Sequence, residues 1–212
     1  VNAPPLDGTL RGFEKVRPLV FDTAETLKPI DAEPHGLWTD KNDLSAKVYL
    51  AYDDRFFYIA ADVTDDVHIS RHNGQMIWNQ DCIQYAFDTE NDAFDPAVSS
   101  PGYKKDDREF CLALTPEGPV NFCYTGTPET AGKPVTEKTS VVIAPDGHKI
   151  YAARIPWSCF GNLRPRPGSV FGFNVTIFDV DSREGSTSYY MELSPGIANG
   201  KNPSYFKRFL LK

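Results

Sequence analysis

Hydrophobic and polar residues alternate with a period of two through most of the chain. Lys47–Asp53 (KVYLAYD) and Phe56–Thr64 (FFYIAADVT) flank the turn residues Asp53-Asp54-Arg55 and predict a hairpin. Asp81–Asp88 (DCIQYAFD) sets Ile83, Tyr85 and Phe87 on one face of a strand and Cys82, Gln84 and Ala86 on the other. Glu109–Thr115 and Val120–Tyr124, with Pro-Glu-Gly-Pro between them, predict a second hairpin with Phe110, Leu112 and Leu114 inward and Cys111 and Ala113 outward. Thr139–Ala144 and Lys149–Ile155 flank Asp146-Gly147, a favoured two-residue turn. Val170–Asp179 offers Phe171, Phe173, Val175 and Ile177 to a core, and Ser188–Leu193 and Tyr205–Leu211 complete the set. Helix is confined to fragments, because Pro18 breaks the stretch 12–22 and Trp157–Phe160 is long enough for one turn. The pattern predicts an all-β fold, an antiparallel, jelly-roll-like β-sandwich of two packed sheets with minimal helix. With no repeat or linker, residues 1–212 are expected to form one domain.

The outward positions are small or polar: Cys82, Gln84, Ala86, Cys111, Ala113, Gly172, Asn174 and Thr176. Such a face is either a shallow trough for a ligand or the solvated side of an antiparallel sheet.

Charge and composition narrow the function. The net charge of −7 without a Lys/Arg cluster argues against nucleic acid, whose binding needs phosphate neutralisation. No apolar run approaches the ~20 residues that span a bilayer. Val1 in place of Met suggests a processed or excised chain. Four cysteines (Cys82, Cys111, Cys123, Cys159) lack CxxC spacing, which argues against a zinc knuckle. A turn centred on Glu117 would set Cys111 opposite Cys123, as a disulfide or as two reduced thiols. His35, His68, His72 and His148 are scattered, and no nucleophile elbow, phosphate loop or HExxH helix is present. The segment 88–109 gathers Asp88, Asn91, Glu90, Asp92, Asp95, Asp106, Asp107 and Glu109, hard oxygen donors of the kind Ca²⁺ takes, though in no EF-hand loop.

Several segments together resemble a family 9 carbohydrate-binding module. Leu6-Asp7-Gly8-Thr9-Leu10 followed by Phe13 is similar to that family's opening, with Phe for its Trp. Ala46–Asp53 with Phe57-Tyr58-Ile59 resembles its first hairpin, and Trp78-Asn-Gln-Asp-Cys-Ile-Gln-Tyr-Ala-Phe-Asp88 follows its W-x-x-D strand nearly position for position. Tyr151–Trp157, Pro167–Asn174 and Asn202–Phe206 resemble segments of its second half. The resemblance spans nearly the whole chain in order. It implies a jelly-roll-like sandwich that binds mono- or oligosaccharides without catalysis, often with structural calcium, in secreted or cell-surface polysaccharide-degrading proteins.

In that family two aromatic rings clamp a terminal sugar. By the resemblance Trp78 keeps the first ring and Gln84 stands for the sugar-binding Glu, while the family's Arg and second Trp fall on Cys111 and Gly200. Arg154 is the expected substitute cation, Tyr205, Tyr103 or Trp38 the expected second ring, and Asn174 a further outward polar group. The expected sugar site is therefore Trp78, Gln84, Arg154, Asn174 and Tyr205. The expected calcium ligands are Asp88, Asn91, Asp106 and Asp107. Two other readings stand beside this one: an interaction or structural sandwich without a sugar ligand, and a small glycosidase, which needs two carboxylates across a cleft that no motif here sets out.

Overall fold

The alternating segments fold as strands in the computed structural model, which describes residues 3–29, 38–94, 101–181, 189–198 and 200–212. In chain order they are β1 (Leu19–Phe21), β2 (Leu27–Pro29), β3 (Leu44–Tyr52), β4 (Phe56–Asp65), β5 (Cys82–Asp88), β6 (Asp107–Thr115), β7 (Gly118–Thr125), β8 (Lys133–Pro134), β9 (Thr139–Ile143), β10 (Lys149–Pro156), β11 (Val170–Asp179), β12 (Tyr189–Glu192) and β13 (Lys207–Leu210). Single 3₁₀ turns occupy Gly74–Met76, Trp157–Phe160 and Pro203–Tyr205. The edge strands β1, β2 and β8 are two or three residues long, too short for a period to show in sequence. Ser188, expected at the start of β12, lies outside the described residues.

All pairings are antiparallel, in two sheets. One sheet runs β1-β3-β4-β10-β9, and the other runs β2-β12-β11-β5-β6-β7-β8, with β13 also on β11. β12 and β13 share one edge of β11 in tandem, at Thr176–Asp179 and Val170–Phe173 respectively. Between the sheets lies a core rich in aromatic rings. Phe57 and Phe87 meet edge-on at 5.2 Å, and Phe87 contacts Phe160 at 4.8 Å. Most of the chain's aromatic surplus is spent here, as the inward parity of Tyr85, Phe87, Phe110, Phe171 and Phe173 predicts. No helix among the described residues is long and apolar enough to cross a membrane.

The β6–β7 hairpin corrects the expected cysteine pairing. It turns through Pro116 and Glu117, so Thr115 faces Gly118 and Cys111 faces Phe122, while Cys123 faces Phe110. A one-residue difference in register exchanges the faces of a strand. Cys123 therefore joins the core and Cys111 the outer face, and all four cysteines are free and buried.

The outer face of the larger sheet is not solvated. Cys82, Gln84, Ala86, Cys111, Ala113, Gly172, Asn174 and Thr176 are all buried there. Ile77, from the loop before β5, packs with Cys82, Cys111, Ala113, Phe122, Phe178 and Tyr190. Ile197 and Phe206, from the segment before β13, pack with Ala86, and Tyr103 leans against them. Two loop segments thus roof the sheet from opposite sides.

Candidate functional site

Between the two roof segments a cleft of about 580 Å³ stays open over the middle of β5 and β6. That size lies within the range of ligand pockets, about 300–1,000 Å³. Gln84, Glu109 and Phe178 form its floor, Met76 and Trp78 line it from one roof segment, and Ile197 and Lys201 line it from the other.

The first roof segment is tied down by polar side chains. Gln80 is fully buried; its Oε1 accepts from the Arg71 and His72 amides at 2.8 and 2.6 Å, and its Nε2 donates to Leu114 O at 2.8 Å. The Tyr124 hydroxyl donates to Gln75 O at 2.9 Å. Asp81 accepts from the Val180 amide at 2.8 Å and from the Ile69 amide, holding the base of the loop to β11. Trp78 stands at the end of this segment with 42% of its surface exposed, a ring presented to solvent beside a polar floor.

A β-bulge shapes the opposite wall. The pairing of β6 with β7 shifts between Glu109 and Phe110, so that Glu109 faces Thr125 while Phe110 faces Cys123. The unpaired extra residue is Tyr124, and both Tyr124 and Thr125 line the cleft. Bulges recur where a side chain must be re-aimed, and this one gives the cleft two neighbouring side chains of one strand.

The second roof segment hangs on Asn174. Its Nδ2 donates to Ser194 O at 2.6 Å and Pro195 O at 3.0 Å, and its Oδ1 accepts from the Ser194 and Val175 amides at 3.1 and 2.9 Å. Gly196 follows at φ +110°, where an added Cβ would lie 2.3 Å from Asn202 O, so this turn needs glycine. Lys201 then reaches back to the floor, its Nζ 2.8 Å from Glu109 Oε1. Glu109 is 2% exposed, with its carboxylate buried beside the Tyr103 hydroxyl. The Tyr103 hydroxyl is buried too; burial, then the charge and hydrogen-bonding contact of Glu109, push its pKa well up.

Of the residues expected in the sugar site, Trp78 and Gln84 come together in this cleft, with Tyr103 beside them. The other three lie elsewhere. Arg154 is on β10 in the opposite sheet, where it pairs with Glu137 at 3.0 Å and covers the Phe56 ring at 4.7 Å. Its alternation on the strand is as predicted, but the strand belongs to the other layer. Asn174 is fully buried and spends its amide on the roof segment. Tyr205 is exposed on its 3₁₀ turn and does not line the cleft; Phe206 is the residue that turns inward. Trp38 packs against the core and donates to Leu44 O at 2.9 Å. Glu109 and Lys201 were not expected here. Parity puts Glu109 on the same face as Cys111, and Lys201 adjoins Gly200, so both lay beside positions that the resemblance had marked.

The acidic loops form clusters as well. Asp88, Asp92 and Asp106 bring one carboxylate oxygen each to within 4.8 Å of the others. Asp88 also orders its loop by accepting from the Asp92 and Ala93 amides at 3.3 and 3.1 Å. Asn91 sits at φ +53° with a buried, unpartnered Oδ1. Asp107, expected as a ligand, lies outside this group; it accepts from the Lys104 amide at 2.5 Å, and burial pushes its pKa up to about 7. Asp95 lies outside the described residues.

A further acidic cluster was not foreseen. His68 Nδ1 lies 3.2 Å from Asp81 Oδ2 and 3.5 Å from Asp65 Oδ2, and Lys149 Nζ lies 3.6 Å from Asp65 Oδ2. Asp43, Asp179 and Asp181 adjoin it, with the Asp179 carboxyl buried beside the Tyr189 hydroxyl. Burial drives the Asp179 carboxyl up to about 9, helped by Asp65 and Asp81.

The model of the carbohydrate family 9 binding domain-like family matches residues 19–212. Endo-1,4-beta-xylanase A of Thermotoga maritima is 28% identical over 211 residues, covering 92% of this chain and 18% of the xylanase. Endo-1,4-beta-xylanase A of Thermotoga neapolitana is 24% identical over 187 residues, 88% of this chain and 16% of that enzyme. The chain thus spans less than a fifth of the length of either relative. A family 9 carbohydrate-binding module from Caldicellulosiruptor kristjanssonii, solved with cellotriose and with glucose, superposes with a TM-score of 0.69 at 21% identity. The cellotriose complex covers all of this chain and 90% of its own, which shows the shared fold.

Proposed function

The chain belongs to the carbohydrate family 9 binding domains, and we propose that it is one non-catalytic sugar-binding module whose ligand occupies the cleft between Trp78 and Lys201. A pyranose offers an apolar C–H face and a rim of hydroxyls, so it needs an exposed ring beside hydrogen-bonding groups. The observation that carries the reading is Trp78, 42% exposed, at a cleft whose floor holds Gln84 and Glu109. A carboxylate bonds hydroxyls more strongly than a neutral acceptor does.

The same cleft argues against hydrolysis. Among the described residues lining it Glu109 is the sole carboxylate, and it is bound to Lys201. Glycosidases need two carboxyl groups flanking the scissile bond. Relatives several times longer and named xylanases support a place in a secreted polysaccharide-degrading protein. Calcium is the ion that we propose for Asp88, Asp92 and Asp106, since the donors are hard oxygens and the Asn91 Oδ1 is buried without a partner nearby in sequence. When bound, the ion would neutralise carboxylates that otherwise repel one another.

Calorimetric titration with glucose, cello-oligosaccharides and xylo-oligosaccharides tests the sugar reading. Trp78→Ala is expected to weaken binding about tenfold or more, since a stacked ring contributes on the order of 1 kcal/mol beyond its buried area. No binding across the panel, or equal binding by the variant, favours the sandwich without a sugar ligand. Turnover of aryl glycosides that Glu109→Gln abolishes would instead favour an enzyme.

A further inference from the structure

Resting on the reading of the cleft as a sugar site, we infer that the cavity next to it, built around Arg108, is an anion subsite for the carboxylate of a uronic-acid unit. The ligand class this assigns is an acidic oligosaccharide, with a neutral ring against Trp78 and the charged ring beyond Thr125.

The cavity measures about 760 Å³ and adjoins the sugar cleft: Thr125 lines both, and Tyr103 of the cleft is followed by Lys104 of the cavity. Arg108 of β6 lines the cavity, although only 5% of its surface is exposed. Its Nε donates to Cys159 O at 2.9 Å, and its Nη1 donates to Lys105 O and Asp107 O at 2.8 and 2.7 Å. These carbonyls fix the plane of the guanidinium but bring no negative charge. Among the described residues no carboxylate forms an ion pair with Arg108. Nη2 has no acceptor among them either, and it is not sealed from solvent. Gly161 keeps the space beside this nitrogen open, since a Cβ there would lie 2.8 Å from it. A buried charge without a counterion is costly, so an anion entering the cavity gains what the fold leaves out.

The other charges around the cavity leave Arg108 available. Lys105 is exposed and adds a second cation, whereas Lys104 acts on Asp92 in the acidic cluster. Glu90 accepts from the Asn162 side-chain amide at 3.0 Å, and Asp106 accepts from the Glu90 amide at 3.3 Å and converges with Asp88 and Asp92. Glu129 is exposed, where water screens its charge. A guanidinium donates charge-assisted hydrogen bonds to a carboxylate, stronger than those it gives a hydroxyl. Linked sugar rings share one bridging oxygen, so a ring in the cleft sets its neighbour at the adjoining cavity.

The test is calorimetry with a panel of aldobiouronic acids, glucuronic acid linked through different hydroxyls of glucose or xylose. Each is compared with its methyl ester, which keeps the shape and loses the charge, and with cellobiose. The parent protein is expected to bind at least one acid about tenfold or more tightly than its ester, the scale of a charge-assisted hydrogen bond. Arg108→Met is expected to reduce that preference to about twofold or less and to leave cellobiose binding unchanged. Lys105→Glu, at an exposed position, is expected to shrink it severalfold. Melting curves establish that Arg108→Met is folded; if it is not, Lys105→Glu carries the test. If no acid is preferred to its ester, or a folded variant keeps the full preference, the inference fails while Trp78-dependent binding of cellobiose survives. Binding of the acid that Trp78→Ala leaves unchanged would likewise overturn it, because the cavity would then act apart from the cleft. If acid, ester and cellobiose all fail to bind, the sugar reading fails and takes this inference with it.

Discussion

Asn174 Nδ2 donates to Ser194 O at 2.6 Å, and through this bond the floor of the cleft carries its roof. Asn174 sits in the middle of β11 and is fully buried, yet none of its polar atoms is left for a ligand. The amide instead holds the chain where it leaves β12 and begins the loop that presents Ile197 and Lys201. A residue expected to touch sugar thus positions the residues that line its cleft.

Asn174→Ala is therefore expected to act twice. It leaves the carbonyls of Ser194 and Pro195 and the Ser194 amide without their partner, at about 1–3 kcal/mol for each group that water cannot reach. Thermal unfolding should show a loss of several degrees, since about 1 kcal/mol moves the midpoint ~2–4 °C at this chain length. Sugar affinity should fall as well, because Lys201 loses its support. A variant as stable as the parent with unchanged affinity would mean that the roof is held by other contacts.

Much of this was legible in the sequence, and the limits have physical causes. Alternation gave the long strands and the facing of Phe87, Phe110 and Phe173, because burial of one face imposes a period of two. It could not say which sheet a strand joins, so Arg154, correctly outward on β10, was expected at the wrong layer. Nor could it count the turn. Pro116-Glu117 alone makes the β6–β7 turn, and that one-residue difference separates Cys111 from Cys123 by the thickness of the sheet. The bulge opposite Glu109 leaves no mark in an alternating pattern, although it brings Tyr124 and Thr125 to the cleft together. Glu109 and Lys201 meet across 92 residues, a pairing that only the folded chain creates.

Arg154 offers a control for the site assignment. Its pair with Glu137 is half-exposed, and surface pairs of this kind contribute about 0–1 kcal/mol. Arg154→Ala should lower stability by about 1 kcal/mol or less, with some loss from its contact over Phe56, and leave saccharide affinity unchanged. An affinity drop comparable to that of Trp78→Ala would contradict the location of the cleft.

Calcium dependence is the next measurable property. A ligand present at about a hundred times its dissociation constant stabilises the fold by about 2.7 kcal/mol. Adding Ca²⁺ to EDTA-treated protein is expected to raise the melting temperature, and Asp92→Asn should remove most of that rise, because it takes one of the three converging carboxylates away. A melting temperature indifferent to chelation and to added Ca²⁺ would count against an ion at Asp88, Asp92 and Asp106.

The buried cluster around His68 predicts how stability varies with pH once divalent ions are chelated. Burial alone would lower the His68 pKa, but the close carboxylates of Asp65 and Asp81 outweigh it and lift the group from 6.5 to about 9. Burial lifts Asp179 from 3.8 to about 9 and Asp181 to about 6, with neighbouring aspartates adding to both. Asp43, Asp65, Asp66, Asp81, Lys149, Tyr151 and Tyr189 are further titratable groups that face them. In all three cases the folded state holds its proton more tightly than the unfolded chain does. Each contribution is therefore full below the group's ordinary pKa and is lost as pH rises through the folded value. For Asp181 that loss ends near pH 6, while for His68 and Asp179 it continues to about pH 9. The melting temperature in EDTA should consequently fall between about pH 6 and 9, and Asp179→Asn, which cannot ionise, should fall less steeply. A profile that stays level or rises over that range, or an unchanged slope in Asp179→Asn, would mean that these protons are not held as the cluster requires.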